Sequence, residues 1–262
     1  MKRDYLVETA LLTHGLSSIS DDELRRSWPI DDPCLAWMDE GEFVYGGIEE
    51  FIPFRKRSES LKRVSLGSLQ TDRENRVSGA LTASGTMAAA MDIGAKLAVT
   101  CGMGGISGVI KGEELCPDLP ALAELPVTLI AASPKDVVDI SATIAWLIGR
   151  GVKVYGRKSD ILTGFMAIGE PVRLCGVYSG QELAAPMLLL DPIEEALRPA
   201  DRIIVQEAIS VGMAAQERGE YFHPAANRKI DLATGGRAAR IQLEKLIENA
   251  LWAKELSAQK PS

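Results

Sequence analysis

Two consecutive strand-to-loop units constrain this chain most, Lys96 to Gly108 and Val127 to Asp139. In each, a short apolar run bounded by turn residues reads as a fully buried strand, the kind found in parallel sheets. The first runs from Leu97 to Thr100 into a loop with glycines at 102, 104, 105 and 108. Such a loop reaches positive φ and brings backbone N–H groups close to an anion, so a tight structural connection and a phosphate or sugar cradle stand as equal readings. Neither G-x-G-x-x-G opening a helix nor G-x-x-x-x-G-K-[ST] is present. In the second unit, Pro134 suits the first turn of a helix and places Lys135 near that helix's N-terminus. A cation there opposes the helix dipole, which favours a neutral amine able to attack an aldehyde and form a Schiff base. The competing reading is a solvated surface lysine, the commonest setting for this residue.

Tyr5 to Thr13 reads as a first strand with Glu8 inside its apolar segment, where a carboxylate serves either a structural salt bridge or acid/base chemistry. Ser20 to Glu23 has the capping-box pattern, and Leu35–Met38 with Glu42–Tyr45 reads as a strand or a hairpin about Gly41. The run Arg55–Arg57 reads as a solvated turn, and the small residues of 76–96 as one closely packed helix. Thr82, Ser84 and Thr86 there either pack or present hydroxyls to a phosphate. Beyond the two central units the pattern predicts a helix over 139–148, strands over 151–156 and 187–190, and a helix over 201–216. A long C-terminal helix follows Thr234-Gly-Gly236 and reaches about Glu255. Strands alternating with helices predict a three-layer α/β/α arrangement, a mainly parallel central sheet with helices on both faces. A single domain over residues 1–262 is expected for a chain of this length.

The 29 basic and 36 acidic residues leave a net charge of −7, which argues against nucleic acid or an anionic membrane as partner and for small soluble ligands. Cys34, Cys101, Cys116 and Cys175 have no C-x-x-C spacing and lie far in sequence from His14 and His223, so neither a zinc site nor a disulfide framework is implied. Glu8 and His14 interrupt the apolar N-terminal run and no small-residue cleavage site follows. A cytoplasmic location is therefore expected.

Taken in order, Val7–Gly15, Leu35-Ala-Trp37, Arg63-Val-Ser65, Thr82–Met87, Thr100–Gly105, Asp118-Leu, Ala132-Ser-Pro-Lys135, Leu190–Ile193 and Thr234-Gly-Gly236 resemble the pseudouridine-5′-phosphate glycosidases. The likeness spans nearly the whole chain, and its strength lies in the colinearity of motifs that are weak singly. It implies an α/β/α homotrimer acting on a sugar phosphate and a nucleobase-like aglycone. Lys135 then matches the lysine that forms an imine with ring-opened ribose 5-phosphate, and Glu8 the acid/base carboxylate. Asp118 matches the aspartate of a divalent metal site, usually Mn2+, held partly through waters. Arg63 stands where the family has a phosphate-binding lysine, with Thr82 and Thr100 near the phosphate.

The chain departs from the family at the base-reading end. Ser107 aligns where the family has a histidine, and Gln242 where it has an asparagine. The expected activity is therefore reversible cleavage or formation of the C–C bond of pseudouridine 5′-phosphate or a related C-ribosyl phosphate. The alternatives are a C-nucleoside synthase with a non-uracil aglycone and a non-catalytic sugar-phosphate binder.

Overall fold

A computed structural model of the protein describes residues 3–110, 112 and 114–259. Its centre is a ten-stranded sheet whose path runs Gly176–Val177, Lys153–Gly156, Met187–Leu190, Thr128–Ala131, Leu97–Val99, Tyr5–Val7, Leu35–Asp39, Gly79–Leu81, Lys62–Val64, with Glu42–Gly46 paired on Leu35–Asp39. The pairings from Gly176–Val177 through Leu35–Asp39 are all parallel. Only the hairpin strand Glu42–Gly46 and the Leu35–Asp39/Gly79–Leu81 pair are antiparallel.

Alternate strand residues feed two separate apolar cores, as the period-2 pleat requires. Val7, Leu35, Val99, Ile130 and Leu189 face the layer built by helices Arg202–Glu217, Phe222–Ala233 and Arg237–Ala258. Leu6, Ala36, Ala98, Leu129 and Leu188 face helices Ala83–Asp92, Asp118–Glu124 and Ile140–Gly149 on the other side. Because both faces are covered, the central strands read as unbroken apolar runs, the feature that made them visible in the sequence. The Ala83–Asp92 helix lies against the sheet through small residues: a Cβ added at Gly85 would overlap the Val64 carbonyl oxygen. The predicted three-layer α/β/α arrangement is the one found.

Three local expectations are corrected, and one helix is added. The first strand ends at Val7, and Leu11–Gly15 winds into a π-helical turn closed by the Leu16 N–H donating to the Leu11 carbonyl at 3.1 Å. The predicted helix over 76–96 is a strand, Gly79–Leu81, and a helix, Ala83–Asp92, broken at Thr82, whose hydroxyl caps the helix by accepting the Gly85 N–H. Lys135 does not open a helix. Ser133–Pro134 instead pairs in parallel with Gly102–Met103, and the next helix begins at Ile140 behind its cap Asp139. Helix Phe222–Ala233 was not foreseen at all.

Among the described residues no helix is long and apolar enough to cross a membrane.

Candidate active site

Three neighbouring parallel strands deliver the central residues. Tyr5–Val7 and Thr128–Ala131 flank Leu97–Val99, so the residues that follow their carboxyl ends, Glu8, Thr100 to Gly102 and Lys135, emerge on one edge of the sheet. Open α/β sheets place their ligand crevices there. Here Glu8, Arg63, Thr82, Asp118 and Lys135 line a single cleft enclosing about 780 Å³, its open mouth included.

Glu8 is 4 % exposed, and burial pushes its carboxyl pKa up, with Lys135, the Thr100 hydrogen bond and Arg63 acting in the opposite direction. The Thr100 hydroxyl donates to Glu8 Oε2. Thr100 is fully buried and off the cleft wall. Its carbonyl in turn accepts the Asn249 Nδ2–H at 2.9 Å, so the long C-terminal helix braces the strand end that holds Glu8. Thr100 therefore orients the carboxylate from behind, where a place beside the phosphate was expected.

Thr100→Val keeps the shape and removes the donor. Because that hydrogen bond lowers the Glu8 pKa, its loss should move the Glu8 limb of the pH profile further up and reduce kcat by roughly tenfold, about 1.4 kcal/mol. A limb that stays in place would refute this role.

Lys135 is half-buried, its backbone N–H donating to the Met103 carbonyl at 3.0 Å. Among the described residues its Nζ has no hydrogen-bond partner, which leaves the amine available to the cleft. Asp136, the next residue, accepts the N–H groups of Phe165, Met166 and Ala167 at 2.7–3.1 Å and so ties down the loop whose Phe165 ring lies close to Gly102.

Arg63, Ser65, Thr82 and Ser84 give the cleft a guanidinium and three hydroxyls, with Thr82 and Ser84 at the N-terminus of helix Ala83–Asp92, a suitable seat for a phosphate. Asp118, 5 % exposed, accepts the Ser84 N–H at 2.9 Å and the Gly104 N–H at 2.8 Å. The glycine-rich loop thus serves partly as close packing: a Cβ at Gly104 would run into Cys116 and lie 3.2 Å from Asp118 Oδ2. Its Gly104 amide is taken by Asp118 and does not stand open to an anion.

Asp118 also bears on the divalent metal that the family resemblance implies. Among the described residues no group of three or more His, Cys, Asp or Glu is placed to hold a metal. One carboxylate with hydroxyl neighbours fits a hard cation held mainly through water and substrate oxygens, and does not fit a site built wholly from protein ligands.

Two of the expected site residues stand off the cleft. Ser107 is buried and its hydroxyl accepts the N–H groups of Val109 and Ile110, each at 3.2 Å, shaping the loop that carries the lining residue Ile110. Gln242 is buried on the C-terminal helix, where its Oε1 accepts the Asn227 Nδ2–H at 3.2 Å.

The structure adds residues that sequence reading missed, all from the unforeseen helix and its entry. Tyr221, Phe222 and His223 line the main cleft, while His223, Pro224 and Asn227 line a smaller adjoining lobe with Glu8 and Lys135. The Tyr221 hydroxyl accepts the Arg63 backbone N–H at 3.3 Å, joining the helix entry to the phosphate end. Burial lowers the His223 pKa well below its ordinary value, with help from the charges of Lys135 and Arg63, so the imidazole is neutral at pH 7.

Fold and site together define an open α/β protein whose covered parallel sheet carries a lysine and a buried glutamate at its carboxyl edge. The chain belongs to the indigoidine synthase A-like family: the family model described as "Indigoidine synthase A like protein" matches residues 35–259.

Its curated relatives include the pseudouridine-5′-phosphate glycosidase of Methylobacterium nodulans, 26% identical over 275 residues that cover 96% of this chain and 81% of the relative. That of Staphylococcus aureus is 27% identical, covering 95% and 89%. These bear out the family resemblance seen in the sequence.

Two solved structures share the fold. An indigoidine synthase A-like protein from Thermotoga maritima superposes with a TM-score of 0.79 at 19% identity, covering 97% of this chain and 92% of the other. The prealnumycin C-glycosynthase AlnA, solved in complex with ribulose 5-phosphate, has a TM-score of 0.72 at 23% identity, covering 97% and 90%.

Proposed function

We propose that this protein is an enzyme that reversibly cleaves or forms the C–C glycosidic bond between C1 of ribose 5-phosphate and a heterocyclic aglycone, through an imine on Lys135 with Glu8 as acid/base. One observation carries the reading. The amine of Lys135 and a buried carboxyl that holds its proton unusually well share a cleft that is also lined by Arg63, Thr82 and two serine hydroxyls. The names of the relatives support a C-glycosidic activity.

A C–C glycosidic bond offers no heteroatom leaving group, so protonation by a carboxylate pair does not release it. In the cleavage direction the C1–O4 bond opens, with Glu8 giving its proton to O4, and the Lys135 Nζ bonds to C1. Glu8, now a carboxylate, takes one proton from the Nζ, and as the C1–aglycone bond breaks with its electron pair staying on the aglycone carbon, that carbon takes the proton back from Glu8. The nitrogen lone pair closes the C1=N bond of a protonated imine. Water hydrolyses that imine to the aldehyde and free lysine, and synthesis is the reverse. Arg63 and the hydroxyls fix the phosphate, and such positioning lowers a barrier by about 7 kcal/mol in favourable cases.

A phosphate seated there lies beside the Asp118 carboxylate. A divalent cation, Mn2+ in the reading taken from the family, would be held by Asp118 with water and would supply charge neutralisation between the two anions. Assembly as a homotrimer and a cytoplasmic location belong to the same proposal.

The direct test is product analysis with pseudouridine 5′-phosphate: release of uracil and ribose 5-phosphate supports the ordinary family reaction. Inactivity alongside intact ribose 5-phosphate binding supports the second reading, a C-nucleoside synthase with a different aglycone, which the positions of Ser107 and Gln242 away from the cleft favour. Failure to bind ribose 5-phosphate at all refutes both. A cellular role that survives Lys135→Ala would point to a non-catalytic sugar-phosphate binder.

A further inference from the structure

Lys135 carries its amine on a flexible stem, and among the described residues no hydrogen bond holds the Nζ in place. An amine that must meet C1 of an opened sugar at one point needs that stem fixed from elsewhere, since a misplacement of about 1 Å costs on the order of 100-fold in rate.

The fixing contact lies behind the cleft. A Cβ added at Gly102 would stand 2.8 Å from Phe165 Cζ and 3.1 Å from Lys135 Cγ, so the aromatic ring and the lysine stem converge on the bare Cα of that glycine. Phe165 is buried in the core on the C-terminal helix side of the sheet and does not line the cleft. The main chain on both sides of the contact is held as well. Gly102 pairs with Ser133, and the Lys135 N–H donates to the Met103 carbonyl.

The loop that presents Phe165 is moored at every turn. It closes on itself through the Gly169 N–H, which donates to the Thr163 carbonyl at 2.6 Å. Arg198 Nη1 donates to the Thr163 and Ala167 carbonyls at 2.9 and 3.3 Å, while Asp136 takes three of the loop's N–H groups. Gly164 bends the chain at φ +119°, where a Cβ would run into the Ala167 carbonyl oxygen. Asp136 follows Lys135 directly in the chain, so the ring is anchored one residue from the amine whose stem it meets.

We propose that Phe165 is the positioning residue of the imine-forming lysine. Its ring, moored through Asp136 and Arg198, denies the Lys135 stem its other rotamers and so directs the Nζ to C1 of the sugar. The proposal rests on the lysine-imine reading above, and its test separates the two.

The protein is mixed with ribose 5-phosphate, quenched with borohydride at successive times, and the adduct fraction is read by intact mass. Repeating this over a range of sugar concentrations gives a limiting rate and a half-saturating concentration. Phe165→Ala is expected to lower the limiting rate by roughly 10-fold or more while the half-saturating concentration stays within about threefold, because the phosphate seat is untouched. Phe165→Leu, which keeps most of the bulk, should restore the limiting rate to within about threefold of the parent.

A limiting rate for Phe165→Ala within about threefold of the parent would overturn the proposal. So would a half-saturating concentration that rises as far as the rate falls, or a leucine variant as slow as the alanine one, since either marks a general loss of structure. Should circular dichroism show the alanine variant unfolded, Phe165→Val leaves a smaller gap and carries the same measurement, and a parental limiting rate there overturns the proposal equally. A parent protein that forms no adduct on Lys135 would instead refute the lysine-imine reading itself.

Discussion

Lys135→Ala is expected to lower kcat/KM for C–C bond cleavage or formation by on the order of 10⁴-fold or more, because a covalent step has no substitute when its nucleophile is removed. Lys135→Arg should be equally inactive. A guanidinium keeps the positive charge in the cleft but stays protonated, so it cannot attack C1. The pair therefore separates a covalent role from an electrostatic one. Should Lys135→Arg retain activity within tenfold of the parent, Lys135 is serving as a cation for the phosphate, and the imine is excluded. Neither change should affect folding strongly, since Lys135 is half-buried and among the described residues its Nζ makes no hydrogen bond.

Glu8→Gln has the second largest expected effect, a loss of about 10²–10⁴-fold in kcat, the usual range for a positioned acid/base. It should act oppositely on stability. Burial raises the pKa of Glu8 in the folded protein, so the native state holds this proton more tightly than the unfolded chain does. The contribution of Glu8 to stability is then most favourable below the unfolded pKa of an ordinary glutamate. It declines as pH rises from there to the folded pKa, and above that remains at its least favourable. A neutral glutamine escapes that decline. The Tm of Glu8→Gln relative to the parent should consequently increase from pH 4 to pH 8, measured by calorimetry in matched salt. A difference that shrinks over the same range would mean the carboxylate is stabilised as an anion and is not poised as an acid.

Much of this site was legible because chain order and covalent geometry place it. Apolar runs followed by small residues marked the two strands that carry Thr100 and Lys135, and parallel pairing around Leu97–Val99 then obliges Glu8 to share their edge. Arg63, Thr82 and Asp118 came from the family resemblance and lie on the same cleft.

What failed did so for physical reasons. Pro134 favours a helix start locally, but Ser133–Pro134 finds strand partners in Gly102–Met103, a tertiary pairing that propensity cannot see. The apolar run after Glu8 reads as strand until the chain coils at Leu11. Helix Phe222–Ala233 opens on His223-Pro224 and carries Asn227, Arg228, Lys229 and Asp231, so its apolar residues form no unbroken run. Phe222, Ala226 and Ile230 nonetheless recur at helical spacing and are buried. That spacing would have put His223 and Asn227 together on a neighbouring face. Ser107 and Gln242 are buried behind the cleft wall, a distinction that depends on side-chain direction.

The most direct test of the central claim is intact-mass analysis of the protein incubated with ribose 5-phosphate and then reduced with borohydride. The account predicts one stable sugar-phosphate adduct per chain, mapped by peptide sequencing to Lys135 and absent from Lys135→Ala. A protein that binds ribose 5-phosphate yet yields no adduct, or one whose adduct maps to another lysine, would contradict it.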